Sequence, residues 1–123
     1  MAKKILIIDD EPEISKMVTE FLLSSGYAAY FALNGPAGLD LIEKEKPHLV
    51  LLDIGMPGMS GLEVLKEIRK KYPELTVVML TAHTEVEVMK RALQGGASEY
   101  ISKPINLETL LNKFVKELIG PAI

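Results

Sequence analysis

Polar or charged side chains follow four of the five short apolar runs in this sequence. They are Asp9 and Asp10 after the first run, Asp53 after the third, Thr81 after the fourth and Lys103 after the fifth. Three carboxylates held close together repel one another at neutral pH unless a cation neutralises them. Because this set contains only oxygen ligands and no cysteine or histidine, it favours Mg²⁺, or Mn²⁺, over zinc.

The lysine and the hydroxyl indicate what such a metal would help to do. A lysine opposite the metal, with a hydroxyl between them, forms a binding site for a dianionic group attached to a carboxylate oxygen. We therefore expect Asp53 to attack a phosphoryl donor, with Lys103 and the metal offsetting charge and Thr81 donating a hydrogen bond. Taken singly, each residue also has an ordinary explanation, such as a turn residue for Asp53 or a solvated turn lysine for Lys103.

The stretch around Asp53 predicts how the carboxylate is presented. Residues 49–52 are an unbroken apolar run, which is typical of a strand buried on both faces. Glycine or proline occupies four of the eight positions from 54 to 61, so a turn must follow. This places Asp53 at the exposed end of a buried strand, where open α/β sheets carry their chemistry.

Four further strands and five helices are predicted around it. The other strands are residues 5–8, 27–33, 76–80 and 99–102. The helices are expected to begin near Pro12, Asn34, Leu62, Thr84 and Asn106, the fourth with a capping box of Thr84 and Glu87, and the second weakened by Gly38. Strict alternation of strands and helices predicts a doubly wound, five-stranded parallel sheet of order 2-1-3-4-5, a flavodoxin-like α/β fold.

Composition narrows the class of protein. The chain has 123 residues, 48% hydrophobic and 25% charged, which fits one globular domain over residues 1–123. A net charge of −3 argues against direct nucleic-acid binding. The absence of cysteine suits a reducing compartment, and no run is long enough for a signal peptide or a membrane span, so we expect a cytoplasmic protein.

The chain resembles a receiver domain of a two-component response regulator over essentially its whole length. The resemblance is carried by Asp9-Asp10-Glu11 after the first strand, Leu52-Asp53 through Pro57 to Gly61, Leu80-Thr81-Ala82, Gly96-Ala97 through Tyr100, and Lys103-Pro104. Each motif is weak alone, but five in the right order on the right elements are a strong signal.

The resemblance implies a role for each matching position. Asp53 would accept a phosphoryl group from the histidine of a sensor kinase or of a phosphotransfer protein. Mg²⁺ would be bound by Asp10, Asp53 and the backbone carbonyl of Gly55, with Asp9 acting through water. Lys103 would pair with the phosphoryl group, and its peptide bond to Pro104 would be cis.

The resemblance also implies a switch and an output. The hydroxyl of Thr81 would move toward the phosphoryl oxygen, and the ring of Tyr100 would turn inward behind it. This would change a surface around the fourth helix, the fifth strand and the fifth helix, which an unknown downstream protein or effector domain would recognise. Such a domain is a signalling phosphoacceptor and not a conventional enzyme, although it promotes its own phosphorylation and dephosphorylation.

The sequence departs from the common pattern in two places, at Ser60 and at the pair of positions that flank the site. Ser60 stands where many members have Asp, which should affect only the turn and the helix start. Gly55 and His83 occupy the variable positions flanking the site; we expect Gly55 to leave the site more open and a bulky replacement to lengthen the phosphoryl lifetime.

Two classes of function compete with this interpretation: an enzyme, either a phosphatase or a flavin-binding protein, and a docking module. A phosphatase with an Asp nucleophile needs a second Asp two residues later, where this chain has Gly55, and a flavin-binding protein needs a Ser/Thr/Gly-rich phosphate loop where this chain has acids. A docking module that works without phosphorylation is the other alternative, and only a phosphorylation assay distinguishes it from a switch.

Overall fold

The sheet lies at the centre of the computed structural model, which describes residues 1–83 and 85–123. Its strands are β1 (Lys4–Ile8), β2 (Ala28–Ala32), β3 (Leu49–Leu52), β4 (Thr76–Thr81) and β5 (Glu99–Ser102). All neighbouring strands are parallel, in the order β2-β1-β3-β4-β5. The predicted doubly wound topology is confirmed.

Helices connect successive strands and cover both faces of the sheet. They are α1 (Pro12–Ser24), α2 (Gly35–Glu45), α3 (Gly61–Lys71), α4 (Val86–Gln94) and α5, which joins Leu107–Thr109, Leu110–Val115 and Lys116–Ile119. The middle segment of α5 has π-helical hydrogen bonding, which the apolar spacing of the sequence did not predict. Among the described helices, none is long and apolar enough to cross a membrane.

The apolar side chains form one core on each face of the sheet. Ile5, Ile7, Leu49 and Leu51 point to the face covered by α1 and α5, whereas Leu6, Ile8, Val50 and Leu52 point to the face covered by α2, α3 and α4. Since β1 and β3 are central and bury both faces, their sequences are continuous apolar runs and do not alternate. The two strands therefore give firm support to whatever follows them.

Gly38 shows why a residue that weakens a helix can still be needed. It is buried in α2, and a Cβ atom at this position would lie 2.5 Å from Cδ1 of Ile8. The glycine thus lets α2 approach β1 closely, and this packing offsets its low helix propensity.

The starts of α3 and α4 differ. Ser60 caps α3 in a reciprocal capping box with Glu63, which agrees with the expected limited effect of serine at this position. The predicted start of the fourth helix at Thr84 lies outside the described residues, and α4 begins only at Val86. Glu85 is its N-cap, with extended backbone angles and no capping hydrogen bond from its side chain. The two helices therefore differ in how their first turns are capped.

Candidate functional site

Three aspartates meet at the carboxyl ends of β1 and β3. These strands are paired in register through Ile8 and Leu52, so the residues that follow them lie side by side. One oxygen from each of Asp9, Asp10 and Asp53 lies within 4.8 Å of the others. Asp9 and Asp53 are only 2% and 5% exposed, whereas Asp10 is half-buried. The predicted convergence of the carboxylates is thus present in the structure.

Lys103 reaches this cluster from the end of β5. Its Nζ lies 2.6 Å from Oδ2 of Asp9, 2.7 Å from Oε1 of Glu11 and 3.5 Å from Oδ2 of Asp53. Its backbone N–H donates to the carbonyl oxygen of Thr81 at 2.9 Å, which ties the loop after β5 to the end of β4. The Lys103–Pro104 peptide bond is cis.

The charges of the cluster do not balance. Burial lowers the pKa of Lys103, but the hydrogen bonds to Asp9 and Glu11 and the charge of Asp53 outweigh burial, so the net pKa is raised and the ammonium stays charged. Burial raises the pKa of Asp9, and the neighbouring Asp53 raises it further against the opposing hydrogen bond from Lys103. The negative charges of Asp9, Asp53 and the neighbouring Asp10 together exceed the single positive charge of Lys103.

This excess charge fits a hard divalent cation. All three aspartates offer carboxylate oxygens, the ligand type that Mg²⁺ prefers, and the partly exposed Asp10 leaves a route to solvent. The donor set is therefore suited to Mg²⁺.

Around Asp53 the site opens into a shallow pocket of about 240 Å³. The backbone N–H of Gly55 donates to Oδ1 of Asp53 at 3.3 Å. The imidazole of His83 lies against Gly55, because a Cβ at position 55 would come within 2.6 Å of Nε2 of His83. His83 therefore occupies the space that a side chain at position 55 would fill.

Thr81 and Tyr100 lie behind this opening. Thr81 is fully buried, and its Oγ1 accepts a hydrogen bond of 3.2 Å from the backbone N–H of His83. The ring of Tyr100 packs against the core, and its buried hydroxyl has no hydrogen-bond partner in the described part of the chain. Burial raises the pKa of Tyr100, and the charges of Glu85 and Asp53 add to this effect.

Glu11 is the site residue that sequence reasoning did not assign. It was recognised only as a third acid after β1, yet its carboxylate contacts Lys103 as closely as Asp9 does. The two residues are 92 positions apart in the chain, so only the tertiary fold brings them together. The sequence signal that could have identified Glu11 as a site residue was the run of three acidic residues after β1.

Comparison with known proteins agrees with this geometry. A family model described as the response regulator receiver domain matches residues 5–115. The chain therefore belongs to the response regulator receiver domain family.

Solved structures of similar chains support the same assignment. A receiver domain protein from Methanospirillum hungatei is 36% identical with a TM-score of 0.91, over 96% of this chain and 94% of that one. The chemotaxis protein CheY4 of Vibrio cholerae is 31% identical with a TM-score of 0.91, over 97% of this chain and 100% of that one. NtrX from Brucella abortus is 36% identical with a TM-score of 0.87, over 96% of this chain but only 27% of that one.

Proposed function

We propose that the protein is a Mg²⁺-dependent phosphoacceptor that takes a phosphoryl group from a phosphohistidine of a sensor kinase or a phosphotransfer protein. A carboxylate oxygen of Asp53 forms the new bond to phosphorus while the phosphorus–nitrogen bond breaks and the electron pair returns to the imidazole. The acceptor is the protein itself, so phosphorylation changes its state and releases no product from an external substrate.

The observation that carries this proposal is the surroundings of Asp53. Its carboxylate is almost completely buried, lies at the end of a rigid strand, and has the ammonium of Lys103 at 3.5 Å on one oxygen. A buried carboxylate that faces a cation and an open pocket is suited to nucleophilic attack on an anionic donor.

Each remaining residue has a proposed role. Asp10 and Asp53 would hold Mg²⁺ with the carbonyl of Gly55, and Asp9 would act through water. The bound ion would supply positive charge for the phosphoryl oxygens. Lys103 would pair with a phosphoryl oxygen, which requires it to exchange part of its present contact with Asp9 and Glu11. Thr81 would donate its hydroxyl hydrogen to another phosphoryl oxygen.

The proposed switch uses Thr81 and Tyr100. Thr81 would turn toward the phosphoryl group. The hydroxyl of Tyr100 is already buried, so its ring would adjust its packing behind Thr81 and would not need to turn inward from solvent. Support comes from the weak packing of the surrounding surface: α4 leaves Val86 66% and Leu93 50% exposed. A change around α4, β5 and α5 would then be recognised by a downstream protein or effector domain.

An apolar groove beside the site could seat the phosphoryl donor. It has a volume of about 380 Å³ and runs between α1 and the loop after β5, with Lys103 and Glu11 at its rim. Ile14 and the 47% exposed Met17 supply its α1 wall, and Pro104 and Ile105 supply the other. A partner helix docked here would lie next to Asp53, which suits a kinase that carries its own phosphohistidine on a helix.

Incubation with acetyl phosphate and Mg²⁺, followed by rapid acid quenching and intact mass measurement, tests the proposal. We expect one added phosphoryl group in the native protein, and none when Mg²⁺ is removed with EDTA. Asp53→Asn should abolish the gain, whereas Asp40→Asn, an exposed aspartate on α2, should keep it.

Failure of the native protein to gain mass at any quench time would overturn the proposal. In that case the docking module that works without phosphorylation becomes the leading alternative. A gain that survives in Asp53→Asn would instead mean that another residue is the acceptor.

A further inference from the structure

A groove between α3 and α4 has an apolar floor and cationic walls. Its volume is about 480 Å³. Leu62, Leu65, Lys66, Arg69 and Lys70 line it from α3, and Arg91 and Gly95 line it from α4 and its C-terminal end. No acidic residue lines it, although the chain as a whole carries a net charge of −3. Both arginines of the chain are in this lining.

The four cations are not equivalent. Arg69 is committed to the fold, because its guanidinium donates to the carbonyl oxygens of Gly96 and Tyr72 at 2.7–3.0 Å. Lys70 makes an exposed ion pair of 3.4 Å with Glu67, a type of contact that contributes little. Lys66 and Arg91 are exposed and form no salt bridge within the described residues. Two strong charges and one weakly paired charge are thus available to a partner.

The floor of the groove is kept open by a glycine. Gly95 is exposed at the end of α4, and a Cβ there would lie 3.3 Å from Cδ2 of Leu65. The half-buried Leu62 continues the apolar strip one turn earlier on α3. Leu65 itself is only 1% exposed, so the apolar surface open to a partner consists of Leu62 and the aliphatic stems of the lining lysines.

The arrangement of polar groups identifies the class of partner. Small-molecule sites depend on a few polar groups held in fixed positions. Here the only rigidly held polar side chain is Arg69, whose donors are already used, and the free charges sit on flexible, exposed side chains at the rim. An open groove between two helices suits a helix laid into it, anchored by apolar residues one turn apart.

We propose that the α3–α4 groove binds an acidic amphipathic helix of a partner protein. Its apolar side chains would rest on Leu62 and on the lysine stems above the buried Leu65, and its carboxylates would face Lys66, Lys70 and Arg91. This binding requires no phosphorylation, so it holds or fails independently of the role of Asp53. The groove is also distinct from the apolar groove beside Lys103.

The test uses a synthetic peptide of about four turns with leucine at i, i+3 and i+7, glutamate at the positions flanking the leucines, and alanine elsewhere to keep it helical. Its binding to the unphosphorylated native protein is measured by fluorescence polarisation. Lys66→Glu combined with Arg91→Glu should weaken binding by about tenfold or more, because it reverses the facing charges. Lys71→Glu combined with Lys90→Glu is the matched control: it makes the same change of net charge on the same two helices, outside the groove lining, and should weaken binding by less than about threefold.

Two further measurements make the result decisive. Amide resonances of Leu65 and Gly95 should shift on addition of the peptide, and a peptide with lysine in place of glutamate should not bind. No saturable binding below about 1 mM would overturn the proposal, as would equal weakening by the two variant pairs. Displacement of the peptide by ATP at a similar concentration would also overturn it, in favour of a small-anion site.

Discussion

The strands that carry Asp9 and Asp53 are packed far more tightly than the elements that carry Tyr100. All four residues of β3 are buried, with exposures of 0–1%, whereas the four residues of β5 are half-buried or exposed. The two helices differ in the same way. Four residues of α3 are buried and it begins with a capping box, whereas α4 buries Ala92 alone among its described residues and its N-cap side chain makes no capping hydrogen bond.

This difference separates two tasks within one site. Carboxylates that would hold a metal and a phosphoryl group must keep their positions, and Asp9 and Asp53 follow strands that are buried almost throughout. Elements that change conformation come from the least stable parts of a domain, because few buried contacts are lost when they move. We therefore expect chemistry to depend on β1 and β3, and switching to depend on α4 and β5.

Core truncation in each region is the strongest test of the comparison. Leu51→Ala removes a side chain that is 1% exposed and should lower the free energy of unfolding by about 2–5 kcal/mol. Ile101→Ala removes a half-buried side chain on β5 and should cost less than about 2 kcal/mol. Urea unfolding of both variants measures the difference. Equal losses would mean that the two regions are equally firm.

Magnesium should directly stabilise the tightly packed region at the ends of β1 and β3. At Mg²⁺ concentrations of 10 to 100 times the dissociation constant, we expect the free energy of unfolding to rise by about 1–3 kcal/mol, since the ion binds only the folded cluster. Asp10→Asn should remove most of this gain, and Asp40→Asn should retain it. Thermal unfolding in Mg²⁺ and in EDTA measures both, and a full Mg²⁺ effect in Asp10→Asn would exclude Asp10 as a ligand.

We expect the rim of the site, where the two regions meet, to control the access of water to a phosphoryl group on Asp53. Gly55→Leu should lengthen the lifetime of the phosphorylated protein several-fold, because the added side chain shields the phosphoryl group. The imidazole of His83 must swing aside to admit it, which is feasible since 47% of that side chain is exposed. Decay of the added mass over time measures the lifetime, and an unchanged rate in Gly55→Leu would contradict the prediction.

The smallest effect is expected at Tyr100. Because its buried hydroxyl has no partner in the described part of the chain, Tyr100→Phe should leave the free energy of unfolding unchanged or raise it by up to about 1 kcal/mol. Tyr27→Phe is the matched control, since it removes a 2.8 Å hydrogen bond to the carbonyl oxygen of Gly120 and should lower stability by about 0.5–1.5 kcal/mol. An equal loss in both variants would reveal a hydrogen bond at Tyr100.

Local patterns in the sequence were sufficient for the strands and for most helix starts. Apolar runs that end in acids located β1 and β3, and the predicted bounds of the fifth strand agree with Glu99–Ser102. These signals are local, since burial on both faces dictates a continuous apolar run. The strand order then followed from the alternation of elements and from the handedness of crossovers.

Features that depend on distant contacts could not be predicted in this way. The contact of Glu11 with Lys103 and the position of His83 over Gly55 arise from loops that meet only in the folded protein. The Thr-x-x-Glu pattern also carried no information about the extended backbone of Glu85, the N-cap of α4. The apolar spacing of the sequence likewise did not predict the π-helical segment of α5.

The guanidinium of Arg69 has a mechanical consequence for the two helices it joins. It holds the carbonyl of Gly96, just beyond α4, against the C-terminal half of α3. The opposite end of α4 follows the loop from Thr81 and has no such tether through its N-cap side chain. A displacement that begins at Thr81 would therefore rotate α4 about its C-terminal end. The movement would be largest next to the pocket beside Asp53 and smallest at Gly95.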